Sequence, residues 1–162
     1  MKFFSLSMVA VVVLAAFSFQ GPTIKAVELK PWLGNWKGSL TYLDYSTGQE
    51  TKIKADIKLG PIVDGNKLAI AFTYPDEPNA SSKDTLRFSD DGRSVNYMTV
   101  ASKKKATGNL VFVLETEGED NGQKAEIRTT YSFNKNTLSN KKEVRYRGQS
   151  DFFVRNEYKL TR

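Results

Sequence analysis

The sequence predicts an all-β fold, an antiparallel up-and-down β-barrel of about eight to ten strands with little or no helix. The first observation is a period-two alternation of apolar and polar residues, typical of strands with one buried and one wet face. The second is the regular occurrence of turn residues between these runs, such as Asn121-Gly122. The third is Gly34-Asn35-Trp36, which opens the first alternating run. A barrel of this size has an interior that can hold one small molecule.

The first residues have the composition of an export signal. Residues 1–18 start with the positive charge of Lys2, continue as an apolar run, and end in the small residues Ala16 and Ser18 around an expected cleavage site. The apolar run is short for a membrane-spanning helix, and an uncleaved anchor is the alternative. We therefore predict a signal peptide at 1–18, no integral membrane span after its cleavage, and a periplasmic or secreted protein. The chain has no cysteine, so burial alone must stabilise the fold.

The strands follow in chain order, with every second residue facing inward. The inward positions are expected to be the alternate residues of 51–59, 68–74, 110–114, 125–133 and 152–160. Turn residues separate these runs at 45–48, 60–66, 90–92, 120–122 and 135–136, and the longest polar connection spans 75–82. One helical turn is expected around 27–33, interrupted by Pro31. We expect residues 19–33 to close one end of the barrel and residues 34–162 to form a single barrel domain.

The chain resembles the calycin superfamily, and best matches its compact bacterial lipocalin-like domains. The resemblance rests on Gly34 and Trp36 before the first strand and on Arg162 in the last. In that superfamily the Trp packs at the closed end and an Arg of the last strand lies across the indole, so the resemblance implies a barrel floor made by these three residues. Arg155 has the opposite parity to Arg162 and is the poorer candidate.

Departures from the better-known members leave the ligand undefined. The connection at 45–50 is too short for the helical lid of fatty-acid-binding proteins, and the two Trp residues are too few for a biotin pocket. Haem barrels of this group ligate iron through His, which this chain lacks. We expect no cofactor.

The residue inventory argues against most catalytic chemistry. With neither His nor Cys, the chain can form no Ser-His-Asp or Cys-His site and lacks the commonest zinc and iron ligands, so we expect no metal site. Acidic residues concentrate in predicted turns. Asp44 is the exception, since it shares the inward parity of Trp36 and Tyr42, and an enzyme hypothesis depends on it. The sequence leaves an enzymatic activity open but favours a protein that is not an enzyme.

The chain carries 24 basic and 18 acidic residues, for a formal net charge of +6. The basic runs at 103–105 and 141–147 are expected to be solvated strand faces, because edge strands use Lys to prevent aggregation. Export and the lack of stacking aromatics on these faces argue against a nucleic-acid partner.

Inward aromatic residues are the positive indication of function. An apolar pocket with a few hydroxyls is what a small-molecule site requires. The candidate ligand-binding residues are Tyr42, Phe72, Tyr97, Phe112 and Tyr131. The favoured hypothesis is an exported protein that binds a small apolar or amphipathic molecule in the barrel. The alternatives are a protein-interaction module, such as a secreted protease inhibitor acting through 75–82, and an isomerase or cyclase on a lipid-like substrate.

Overall fold

The computed structural model describes residues 21–162, and the predicted signal peptide lies outside them. In this part of the chain two 3₁₀ helices, Ala26–Trp32 and Pro78–Ala80, accompany ten strands. The strands are β1 (Gly34–Asp44), β2 (Gln49–Val63), β3 (Lys67–Thr73), β4 (Ser82–Arg87), β5 (Ser94–Val95), β6 (Met98–Ala106), β7 (Asn109–Asp120), β8 (Gln123–Phe133), β9 (Thr137–Tyr146) and β10 (Phe153–Thr161). The predicted fold class, an antiparallel barrel with little helix, is confirmed.

The strands form one antiparallel sheet that curls into a nearly closed wall. Its order is β4-β3-β2-β1-β10-β9-β8-β7-β6-β5, so the first and last strands of the barrel pair with each other. The two ends of this sheet, β4 and β5, meet at the single bridge between Phe88 and Val95. We call the line between β4 and the pair β5–β6 the seam. Closing a sheet in this way removes most of the exposed strand edge.

The hairpin turns use the left-handed conformations that two-residue turns require. Asn121 and Gly122 have φ of +48° and +72°, as in a type I′ turn. The turn expected at 60–66 is shorter than predicted, because β2 continues to Val63 and only residues 64–66 turn. An irregularity in the β2–β3 pairing between Leu59 and Ile62 accommodates Gly60 and Pro61. Proline is tolerated at such a position because no ladder hydrogen bond is required of it.

One end of the barrel, the floor, is closed by the chain before β1. The Nε1 of Trp32 donates to the carbonyl of Asn134 at 2.9 Å, and the Nε1 of Trp36 donates to the carbonyl of Trp32 at 2.9 Å. The backbone N–H of Ile24 donates to Gly92 at 2.8 Å. These bonds hold residues 24–32 across the ends of the strands, over a core of apolar side chains. The opposite end, the mouth, is formed by the turns at 45–48, 74–81, 121–122 and 147–152.

The inward parity predicted for the start of β10 is wrong. A bulge between Val154 and Asn156 inserts Arg155 opposite β9, and every residue before it changes face. Phe153 therefore pairs with the buried Val144 and points inward. Val154 is 42% exposed, and Phe152 lies outside under the guanidinium of Arg128, with 4.1 Å between the cation and the ring centroid.

Candidate functional site

The three residues expected at the floor lie together. The guanidinium of Arg162 stands 4.4 Å from the ring centroid of Trp36, which is fully buried. Arg162 also donates to the carbonyl of Pro31 at 3.1 Å, which ties the last strand to the closing segment. Gly34 has φ of +118°, a conformation that other residues rarely adopt. The side chains of Trp36 and Arg162 therefore plug the floor.

The lumen above the floor is filled by stacked aromatic rings. Phe112 lies 4.9 Å from Tyr131 between centroids and is fully buried, and Trp32 packs 5.3 Å from Phe133. Burial raises the pKa of Tyr131 to about 12, although a hydrogen bond with Asn140 opposes the rise. Phe112 and Tyr131, both proposed as ligand contacts, therefore belong to the packed part of the interior.

The upper lumen, nearer the mouth, is more polar and more exposed. One row of paired inward positions crosses five neighbouring strands and carries two hydroxyls, a phenol, an amide and an ammonium: Thr51, Tyr42, Asn156, Lys142 and Thr129. All five are partly exposed although their strands direct them inward. Inward side chains at this end of the barrel are therefore less buried than those near the floor.

Two further aromatic side chains line this space. Phe72 is partly exposed and lies 5.5 Å from Tyr158 between ring centroids. The hydroxyls of Tyr158 and Tyr74 are 2.6 Å apart and share a hydrogen bond. Burial and this bond raise the pKa of Tyr158. Of the candidate ligand residues, Tyr42 and Phe72 are the inward-facing ones that are partly exposed.

Tyr97 does not face the lumen, and the inward parity expected for it is wrong. Its side chain is 95% exposed. β5 ends at Val95, and Asn96 and Tyr97 form a two-residue turn with φ of +47° and +68° before β6 begins. The alternation therefore breaks at this point, and the ring projects into solvent.

The structure assembles a charged group at the mouth that sequence reasoning missed. Asp120, at the end of β7, is the one buried charged residue in the described chain 21–162. Its carboxylate accepts a hydrogen bond from Lys142 Nζ at 2.8 Å and another from the hydroxyl of Tyr45. The hydroxyl of Tyr146 is 3.3 Å away and Arg155 Nε is 3.9 Å away. We call these five residues the mouth cluster.

Arg155 is fixed in this cluster from two sides. It donates to the carbonyl of Leu43 and its guanidinium lies 3.9 Å from the ring centroid of Tyr45. Burial and the charge of Asp120 raise the pKa of Tyr146. The alternation in the sequence places Lys142 on the same face of β9 as Val144, so its inward direction could have been predicted. The inward direction of Arg155 could not, because the bulge that causes it leaves the alternation of β10 unbroken in the sequence.

Asp44 is held at the rim of the mouth. Its carboxylate accepts hydrogen bonds from the hydroxyl of Ser46 at 2.6 Å and from the backbone N–H of Ser46 at 2.8 Å. These bonds lower the pKa of Asp44. The carboxylate thus stabilises the β1–β2 turn as an Asx turn.

In the basic run 103–105, expected on a solvated face, two of the three lysines are ion-paired. Lys103 and Lys105 share the inward side of β6, and their Nζ atoms lie 3.1 and 3.3 Å from the carboxylate of Glu28 in the first 3₁₀ helix. Partial burial opposes ionisation of Glu28, but the hydrogen bonds from Lys103 and from the Lys25 N–H together lower its pKa. This contact attaches the closing segment to one side of the seam.

Three grooves on the described surface lie mainly on the outer faces of β6–β10. The first, with a volume of about 440 Å³, is bordered by charged side chains near the mouth, including Glu117, Glu126 and Arg145. The others lie along β7–β10 near the floor and beside Phe152. Within residues 21–162, no three acidic side chains are grouped to hold a metal ion. None of the helices in that range is long and apolar enough to cross a membrane.

No family model and no curated protein sequence matches the chain. Among solved structures, Rv2717c from M. tuberculosis is similar, with a TM-score of 0.58 and 16% identity over 84% of this chain and 95% of that one. The fluorescent protein UnaG, as a mutant, gives a TM-score of 0.42 and 11% identity over 83% and 96% of the two chains. At these identities the similarity to Rv2717c concerns the fold alone. That fold is a nearly closed antiparallel β-barrel.

Proposed function

We propose that the protein binds one small apolar or amphipathic molecule in the upper lumen, reached through the mouth. The observation that carries this proposal is the gradient of exposure along the barrel. Inward side chains near the floor, such as Trp36 and Phe112, are fully buried, whereas Tyr42, Phe72 and Asn156 near the mouth are partly exposed. We call the proposed binding space in the upper lumen the chamber. A plugged floor beneath less buried side chains suits a ligand that enters from the mouth.

Binding would depend on burial of the apolar part of the ligand. Leu40, Ile53 and Phe72 line the lower part of the chamber, and each square ångström of apolar surface removed from water stabilises the complex by about 25 cal/mol. Asn156 and the hydroxyls of the same row can satisfy a polar group of the ligand, since a buried polar group needs a partner.

We also propose that the protein is an exported, lipocalin-like protein. This rests on the composition of residues 1–18 and on Gly34, Trp36 and Arg162. The N-terminal sequence of the protein isolated from its own host tests export, with cleavage near residue 18 as the expected result. An intact Lys2 in the isolated protein would contradict it.

Native mass spectrometry of the protein from its own host tests ligand binding. We expect a co-purifying small molecule, and a Thr129→Trp variant that fills the chamber should lose it. Thr130→Trp is the matched control, because Thr130 is the next residue of β8 and faces outward. Equal retention in both variants would contradict a lumenal site. A co-purifying protein in place of a small molecule would instead support the interaction-module alternative.

A further inference from the structure

The mouth cluster carries more positive than negative charge. It contains the cations Lys142 and Arg155 around the single carboxylate of Asp120. The two cationic side chains are 29% and 21% exposed, and the carboxylate is 6% exposed. Charges that are largely removed from water are normally balanced by a partner. One positive charge in this group has no balancing carboxylate among the contacts of its members.

The hydrogen-bond donors of the two cations are also only partly used within the protein. An ammonium has three N–H donors, and Lys142 directs one to Asp120. A guanidinium has five, and Arg155 directs one to the carbonyl of Leu43. Asp44, the acid at the end of β1, is engaged by Ser46. The remaining donors belong to side chains that strand pairing directs into the chamber or toward its rim.

The position of the cluster relates it to the proposed ligand chamber. Lys142 belongs to the row of polar inward residues that crosses β2, β1, β10, β9 and β8. It lies directly opposite Asn156 on one side and Thr129 on the other. One row deeper, the inward positions are mostly apolar or aromatic, including Leu40 and Tyr158. A molecule that spans the two rows would have its polar end at the cations and its apolar end toward the floor.

We infer that the ligand of this chamber is an anionic amphipath, whose negatively charged head binds between Lys142 and Arg155 at the mouth while its apolar tail extends toward Leu40 and Phe72. This inference rests on the proposed lumenal binding and specifies the class of ligand. Asp120 is a counter-charge beside the two cations, so it reduces their net attraction for the head group.

Isothermal titration of the purified protein with matched twelve-carbon probes tests the inference. The probes are dodecanoate, dodecyl phosphate, dodecanol and dodecylammonium, each below its micelle-forming concentration. We expect the two anions to bind about 10- to 100-fold more tightly than dodecanol, the range that hydrogen bonds to charged groups provide. The tighter of the two anions identifies the head group as carboxylate or phosphate. Added salt should weaken the binding of the two anions and leave the binding of dodecanol unaffected.

Neighbouring lysines provide matched variants. Lys142→Gln should reduce the affinity for dodecanoate about tenfold or more and leave dodecanol unchanged. Lys141→Gln should change neither, because Lys141 faces outward and pairs with Glu143 at 3.0 Å. Lys142→Arg should retain the preference for anions, which keeps the test valid if the glutamine variant fails to fold. Asp120→Asn should bind dodecanoate more tightly than the parent, because the competing negative charge is removed.

The outcomes separate this inference from the proposed function. Equal affinity for dodecanoate and dodecanol, or equal losses in the Lys141 and Lys142 variants, would overturn the anionic head group and leave lumenal binding standing. Weaker dodecanoate binding in Asp120→Asn would also overturn it. If the protein sediments with phosphatidylglycerol vesicles but does not bind monomeric dodecanoate, the inference fails, because the cations then bind a lipid surface and not a ligand in the chamber. If no probe binds and nothing co-purifies, both the inference and the proposed function fail.

Discussion

The floor and the mouth of this barrel are built from the same strands with different side chains. β1 contributes the fully buried Trp36 at the floor and the partly exposed Tyr42 near the mouth. β9 contributes the buried Leu138 at the floor and Lys142 toward the mouth. The floor buries apolar surface and the mouth holds polar groups that water can reach. Apolar burial is therefore concentrated at the floor, and the proposed binding site lies at the other end, where substitutions should have less effect on the fold.

Replacing a large floor side chain should have the largest effect. Trp36→Ala removes a fully buried indole together with its contact to Arg162, and should destabilise the protein by about 3–5 kcal/mol. Tyr42→Ala removes a partly exposed ring near the mouth, and should cost less than about 2 kcal/mol. Urea unfolding followed by circular dichroism measures both. Similar losses would show that the mouth is as important to stability as the floor.

A pair of glycines extends the same comparison. A Cβ on Gly38 would lie 2.1 Å from the backbone carbonyl oxygen of Lys159, so β1 and β10 would have to separate. We expect Gly38→Ala to destabilise by about 1–3 kcal/mol or more. A Cβ on Gly118, toward the mouth in β7, would meet only the end of the Ile127 side chain at 3.3 Å, and Gly118→Ala should be nearly neutral. The midpoint of urea unfolding for each variant checks this, and the reverse order would contradict the packing described for β1.

The buried Tyr131, in the packed lumen above the floor, should make the free energy of unfolding fall at alkaline pH. The pKa of Tyr131 is raised to about 12 in the folded protein, so above pH 10 the unfolded chain loses this proton first. The stabilisation is fully present below about pH 10 and falls by about 2 kcal/mol as pH rises toward 12. Tyr131→Phe should show a smaller loss over this window in urea unfolding at pH 9 and pH 11.5. An unchanged loss would assign it to other tyrosines, such as Tyr158.

The ion pair that attaches the closing segment should have the smallest effect, at the acid side. The folded-state pKa of Glu28 is lowered, so its contribution is present above the unfolded value of 4.5 and is lost as pH falls through the folded value. Glu28→Gln should be less stable than the parent by up to about 1 kcal/mol at pH 7, and the two should converge near pH 3. Thermal unfolding at both pH values measures this. A constant difference between them would exclude the ion pair as its cause.

Much of the fold could be predicted from the sequence because alternation records directly which side of a strand is buried. The runs in β2, β3, β7 and β8 and the turns at 45–48 and 121–122 are in the structure where the residues placed them. The proximity of Trp36 and Arg162 required the resemblance as well, since their contact joins opposite ends of the chain. Parity was less reliable wherever the strand itself was irregular.

The mouth could not be predicted for a specific physical reason. The bulge at Arg155 and the two-residue turn at Tyr97 each alter the face of a side chain without altering the apolar pattern of the sequence. Asp120 occupies a position typical of an exposed turn, and its burial depends on Lys142, Arg155 and Tyr45 arriving from three other segments. Such a group arises from tertiary structure alone.

The seam has a consequence for how the barrel moves. Elsewhere around the wall, a change in circumference would break a continuous ladder of backbone hydrogen bonds. Between the β4 and β5 segments there are one bridge, the hydrogen bonds of Ser89 with Ser94 and those of Asn96 with Arg87. Backbone amides beside this line should exchange with deuterium sooner than those of β7 and β8, which are paired on both sides. We therefore expect any change in the circumference of the barrel to occur first along the seam.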